Sequence, residues 1–155
     1  MYELERPPFC SVGRAMEILG ERWTMLIMRE AFYGVRRFSD MQRNLGIARN
    51  ILSTRLQSLV RAGILERRLY QEEPERFEYR LTQAGRDLYP AVIAIMKWGD
   101  EHLADDAGPP VVLRHSCGEL IDPVLVCDHC REPLHPHDVT PEPGPGAQIP
   151  TPTAS

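Results

Sequence analysis

Residues 34–81, GVRRFSDMQRNLGIARNILSTRLQSLVRAGILERRLYQEEPERFEYRL, leave little freedom in how this chain can fold. Ser39 is placed to open a short helix: its hydroxyl can accept an orphan backbone N–H while Gln42, three residues on, reaches back. Phe38, Met41 and Leu45 supply the apolar side of that helix. Gly46 ends it, because a residue without Cβ takes the left-handed conformation at little cost. A second helix is predicted from about Arg49 to Ala62, with Leu52, Leu56, Leu59 and Val60 on one face at helical spacing and Gly63 as its stop. Two strand-like segments, Ile64–Tyr70 and Phe77–Leu81, then flank QEEPER, where Pro74 suits a turn and cannot serve a central ladder. Short helix, tight turn, helix and hairpin in this order are the pattern of a winged helix-turn-helix, a mainly α fold with a small β-hairpin wing.

The outward face of the second helix carries the functional signal. Arg49, Asn50, Ser53, Thr54, Gln57, Ser58 and Arg61 point away from the apolar stripe, and the helix contains no Asp, Glu or Lys. Such donors and acceptors match base edges and phosphates in a DNA major groove. Taken alone they would also suit an ordinary solvated helix face. Preceded by a short helix and followed by a hairpin, they point to double-stranded DNA. Arg36, Arg37, Ser39, Arg49, Asn50, Ser53, Thr54, Arg55, Arg68 and Arg76 are the candidate DNA contacts. Arg49, Asn50, Ser53 and Thr54 are assigned to bases, and Arg36, Arg37, Arg68 and Arg76 to phosphates. Glu72, Glu73 and Glu75 at the hairpin tip would repel phosphates, so the tip itself is expected to sit away from them.

The overall charge of −4 argues against nucleic acid only if the chain is read whole. Between Arg6 and Arg68, twelve arginines stand against five acids, a net of +7; from Asp105 onward two arginines stand against eight acids, a net of −6. Phosphate binding follows the local field, screened over about 8–10 Å. A basic front and an acidic tail therefore suit a DNA binder whose tail faces away.

Two more helices are predicted before this unit, Ser11–Leu19 and Trp23–Phe32, with stripes of Val12, Ala15, Met16, Leu19 and of Trp23, Leu26, Ile27, Ala31. After it, Thr82 is a good N-cap for a long helix to about Leu103, which Pro90 should kink or restart. Leu88, Val92, Ile95, Trp98 and Leu103 form its stripe. One small domain leaves little for that stripe to pack on, so pairing with a second copy is expected, and a two-fold dimer presents two recognition helices. No apolar run is long enough to span a bilayer, and Met1–Pro8 is charged rather than apolar, so no secretory leader and a cytoplasmic setting are expected. No phosphate loop, nucleophile elbow or acid pair suggests an enzyme.

The segment VVLRHSCGELIDPVLVCDHCREPLHPHDV, residues 111–139, forms a second unit. Cys127-x-x-Cys130 is a metal-type knuckle, and His115-x-Cys117 lies ten residues upstream. Three thiols and an imidazole suit structural Zn²⁺, and cytosolic thiols are normally reduced. A small zinc-ribbon-like β-hairpin with His115, Cys117, Cys127 and Cys130 as ligands is the expectation, though His129, His135 or His137 could replace His115. A C-x-x-C hairpin without metal is the alternative. Residues 140–155 have the Pro, Gly and small polar content of a disordered tail.

The stretch from CSVGRAMEILGERWTMLIMRE through RRFSDMQRNLGIARNILSTRL, AGILERR and EYRLTQAG to KWGDEH resembles the HxlR family of bacterial transcription regulators. The likeness covers about residues 9–104. It implies a dimeric winged helix-turn-helix that represses or activates nearby operons, in response to an effector that the sequence does not name. Family members often carry Ser-Pro-Arg at the start of the recognition helix, where this chain has Ala48-Arg49-Asn50, so the serine cap is lost. Some members sense oxidants or electrophiles through a cysteine at the position of Cys10. A helix N-terminus or nearby cation lowers a thiol pKa, and Cys10 sits at a predicted helix start with Arg14 one turn on. It would equally serve as a small packed residue. A protein-interaction module built on the same winged helix and tail is the alternative function.

Overall fold

The computed structural model describes residues 10–147; residue 9, at the edge of the expected first domain, and residues 148–155 of the expected tail lie outside them. Among the described residues six helices and one hairpin follow in the order α1 (Ser11–Leu19), α2 (Arg22–Phe32), α3 (Phe38–Leu45), α4 (Arg49–Arg61), β1 (Leu65–Gln71), β2 (Arg76–Leu81), α5 (Gln83–Arg86) and α6 (Tyr89–His102). The winged helix-turn-helix expected from residues 34–81 is present.

The core lies where α2, α3, α4 and the start of β1 meet. Ile27, Met28, Met41, Leu52, Leu56, Leu59 and Leu65 are sealed from solvent there. Each helix gives one stripe, so α4 is left with its polar face outward. Gly46 ends α3 with a φ of 62°, a left-handed conformation that needs no Cβ, and its N–H donates to the Gln42 carbonyl. That turn swings the chain from α3 directly into α4.

The start of α3 differs from the expected capping box. The helix begins at Phe38, its N-cap is Arg37, and Ser39 lies exposed within the first turn without capping anything. The reason is long-range. Arg37 is extended and forms an antiparallel bridge with Glu78 of β2, and Tyr79 N–H donates to the Arg36 carbonyl at 2.8 Å. This pairing fixes where the extended segment stops and the helix starts, and it gives the wing a third short strand segment.

The hairpin pairs Leu65 with Leu81 and runs in register to Leu69 opposite Phe77, with an irregularity before Gln71 opposite Arg76. Thr82 caps α5 as expected, accepting from Gly85 N–H at 3.1 Å, while its hydroxyl donates to the Gly63 carbonyl at 2.6 Å. Gly85 is sterically required: a Cβ there would meet the Ile64 carbonyl oxygen at 2.2 Å. The predicted long helix is divided, α5 ending at Arg86 and α6 restarting with Pro90 in its first turn. Pro is tolerated there because it has no N–H to leave unpaired. The helix α6 returns against α2, where the Phe32 and Tyr89 rings stand 4.9 Å apart.

The tail contains less β-structure than a ribbon. Only two single bridges form, Arg114 with Leu120 and Val126 with Pro133, each closing one turn.

Candidate DNA interface

The helix α4 presents Arg49, Asn50, Thr54, Gln57 and Arg61 to solvent, with Ser53 and Ser58 half-buried beside them. Ile51 is also exposed, an apolar residue in this face that the sequence reading did not weigh. Thr54 donates its hydroxyl to the Asn50 carbonyl at 2.9 Å, and Ser58 to the Thr54 carbonyl at 3.0 Å. Both hydroxyl protons are therefore spent on the helix backbone, and the Ser58 oxygen also accepts from Arg61 at 3.4 Å.

Ala48 is the N-cap of α4 and supplies no side-chain cap. The guanidinium of Arg49 instead lies 5.1 Å from the Phe38 ring centroid, against the first residue of α3. A cation over an aromatic face is held by the ring quadrupole. Arg49 thus lies between the two helices of the motif.

The other candidates divide into open and occupied. Arg36 and Arg37 are exposed, Arg37 stacking 5.0 Å over the Tyr70 ring of β1. Arg76 is exposed at the start of β2 and makes no ion pair among the described residues. Arg68 pairs with Glu66 at 2.9 Å, so one of its nitrogens is engaged. Arg55 is half-buried and pairs with Glu21 at 3.4 Å, tying α4 to the N-cap of α2. Its geometry is that of a helix-to-helix tie. Glu21 stands 34 positions earlier, so no spacing rule within α4 could reveal it.

Behind the interface is a buried acid that composition did not single out. Glu30 on α2 accepts from Arg29 and from Asn44 of α3, both at 2.8 Å. It anchors the end of α3 to α2, and a buried carboxylate requires such donors.

Cys10 is the N-cap of α1, as its place in the sequence suggested, and its exposed sulfur accepts from Gly13 N–H at 3.3 Å.

In the tail, the two turns are counterparts. His115 follows one bridge and Cys127 the other; Cys117 and Cys130 are each followed by a residue with positive φ, Gly118 at 95° and Arg131 at 66°. The His115 turn is one residue tighter, and its imidazole Nδ1 accepts from the Cys117 N–H at 3.3 Å. The backbone N–H groups of Cys130 and His129, with the Cys130 thiol, hold the Cys127 thiol below its ordinary range. Even so, among the described residues no three His, Cys, Asp or Glu side chains gather where one ion could sit. The donors of the expected zinc-ribbon stand as two separate turns, and in this arrangement they do not fit a single tetrahedral site.

The acidic tail is not free of the helical unit. Lys97 of α6 pairs with Asp122 at 2.5 Å and donates to the Pro123 carbonyl at 3.1 Å. The Asp122 hydrogen bond holds the Lys97 ammonium above its ordinary range.

Among the described residues no helix is long and apolar enough to cross a membrane. Residues 18–107 match the model of the HxlR-like helix-turn-helix family. An uncharacterised HTH-type transcriptional regulator of Mycobacterium tuberculosis strain H37Rv is 59% identical over 137 residues, 88% of this chain and 87% of that protein. That span must take in at least 30 residues beyond residue 107, so the likeness includes tail sequence. Another uncharacterised HTH-type regulator, from Synechocystis, is 35% identical over 99 residues, 63% of this chain and 73% of that protein. Among solved structures, the candidate transcription factor PA1607 matches with a TM-score of 0.80 at 34% identity, covering 88% of this chain and 96% of that one. The oxidised form of the redox regulator HypR matches with a TM-score of 0.57 at 29% identity, over 62% of this chain and all of that one. On the family match, the relatives and the winged helix itself, this chain belongs to the HxlR-like helix-turn-helix family of transcriptional regulators.

Proposed function

We propose that the protein is a sequence-specific regulator that binds operator DNA as a homodimer through α4. The observation that carries this is the outward face of α4: free of acids, rich in Arg, Asn, Gln, Ser and Thr, and flanked by the exposed Arg36, Arg37 and Arg76. A protein-docking face would be expected to show a contiguous apolar patch, and Ile51 is a lone apolar residue in this one.

The test separates base from phosphate contacts. Asn50→Ala or Arg49→Ala is expected to cost about 1–3 kcal/mol on the specific site and to relax its base preference. Arg37→Ala is expected to weaken binding evenly across sequences and flatten the salt dependence, because each phosphate neutralised releases counterions. Arg55→Ala is expected to act through folding instead, given its tie to Glu21. Footprinting at low salt across the promoter region beside the gene reads the base and phosphate contacts, a melting curve reads Arg55→Ala, and no protected palindrome there would remove the regulator reading.

The thiols enter as two further proposals. Cys10, an exposed N-cap thiol, suits oxidant sensing; operator affinity that responds to diamide equally in the chain and in Cys10→Ser would reject it. For the tail, the separated turns lead us to expect well below one zinc per chain by elemental analysis of reduced protein. One zinc per chain, lost in Cys127→Ser, would mean that the turns close together on the ion.

A further inference from the structure

Where the tail lies back on α6 the two line an open cleft of about 260 Å³. Its floor is apolar: Ile93 and Met96 from α6, and Val112, Leu113, Leu120 and Ile121 from the tail. Val112 and Leu120 are more than half exposed. A cleft of this size suits a small ligand built on one ring. It falls just short of the usual range for small-molecule sites, about 300–1,000 Å³.

The rim is charged and unbalanced. Lys97, Asp100, Glu101 and Asp122 line it. Lys97 is committed to Asp122 at 2.5 Å, with Glu101 more distant at 3.9 Å. Asp100 makes no ion pair among the described residues, and Glu101 has only Lys97 and His102 near it, each at 3.9 Å, so the two acids leave the rim net negative. The surrounding tail adds to the same sign, with eight acids against two arginines from Asp105 onward. An anionic ligand would meet this field unfavourably, and the one ammonium able to receive it is occupied. An apolar body bearing a positive charge meets both the floor and the rim.

We propose that the cleft between α6 and the tail is a binding site for a small lipophilic cation, its apolar ring on the aliphatic floor and its charge beside Asp100 and Glu101. The bound molecule touches both walls, so it holds the tail against α6 in addition to the Lys97–Asp122 pair. This site is separate from the α4 face and stands or falls independently of DNA binding.

The experiment uses the full chain and three single-ring probes: benzyltrimethylammonium, benzyl alcohol and phenylacetate. Amide NMR titration is expected to show saturable shifts confined to α6 and residues 109–123 with benzyltrimethylammonium, weaker ones with benzyl alcohol and none with phenylacetate. The melting temperature should rise with the concentration of the cation, because a ligand that binds only the folded state stabilises it by mass action. Asp100→Asn and Glu101→Gln should each weaken the cation about threefold, the size of an exposed charge contact, and leave benzyl alcohol unchanged. Val112→Arg, which puts a long cation over the floor, should abolish binding of both; its own melting curve shows whether it folds. Equal binding of cation and anion, shifts outside the cleft, or cleft signals that change only with protein concentration would overturn the proposal, the last by making the cleft a contact between copies.

Discussion

Leu56→Ala is expected to destabilise the winged helix by about 2–5 kcal/mol, the usual cost of emptying a sealed aliphatic site. Leu56 is 0% exposed and sits on the inner stripe of α4 with Leu52 and Leu59. It packs in the cluster that holds Ile27 and Met28 of α2 and Met41 of α3, so the cavity opens where three helices meet. Domains of this kind are stable by about 5–15 kcal/mol in total, so the variant forfeits a large share. Urea denaturation followed by far-UV circular dichroism measures it. The comparison is Val139→Ala in the tail, 53% exposed and outside the α1 and α6 surface, where a change within about 0.5 kcal/mol is expected. Similar midpoints for the two variants would mean that α4 is not held by this core. The consequence for DNA is indirect but large: α4 can present Arg49 and Asn50 in fixed positions only while its inner stripe is packed.

What could be read from the residues was local, and what was misread was long-range. Gly46 and Gly63 punctuate α3 and α4 because each adopts a positive φ, 62° and 73°, at the point where apolar periodicity stops. The helix α1 also ends at a glycine, Gly20, but there with a right-handed φ of −70°, and Pro90 warned of the restart at α6. Ser39 had every local credential of a cap and lost to the pairing of Arg37 with Glu78, forty-one positions away, which set the helix start one residue before it. Arg55 and Arg68 looked like free cations in the sequence; Glu21 and Glu66 claim them in the fold. The tail shows the same division. Its two cysteine turns were legible from spacing, but whether they face each other is a matter of tertiary placement, and they do not gather three ligands. Nor did any period announce that Asp122 would reach Lys97.

Trp98→Glu combined with Met16→Glu is expected to turn a dimer into a monomer and to cut affinity for a two-half-site operator by about 10²–10⁴-fold, the gain that linking two binding modules supplies. The helices α1 and α6 leave a set of large apolar side chains on the surface: Val12, Met16, Ile95, Trp98 at 57% and Leu103 at 73% exposed. Fully burying one such side chain contributes about 1.5–3 kcal/mol, so covering five of them is enough to offset much of the cost of association, about 4–15 kcal/mol. Two-fold pairing along these helices would place the two α4 helices for successive major grooves, about 34 Å apart. The double variant should keep its affinity for a single half-site, because neither residue lies on α4 or the wing, and should keep its melting curve within a few degrees at low concentration. Sedimentation velocity and operator titration give the two readouts. If the unaltered chain sediments as a monomer at tens of micromolar (the range in which a weak dimer would still form, at about −6 kcal/mol), the dimer is lost. The expectation of a palindromic operator goes with it, since a lone winged helix reads a single half-site. The exposed stripe on α1 and α6 would then need another cover.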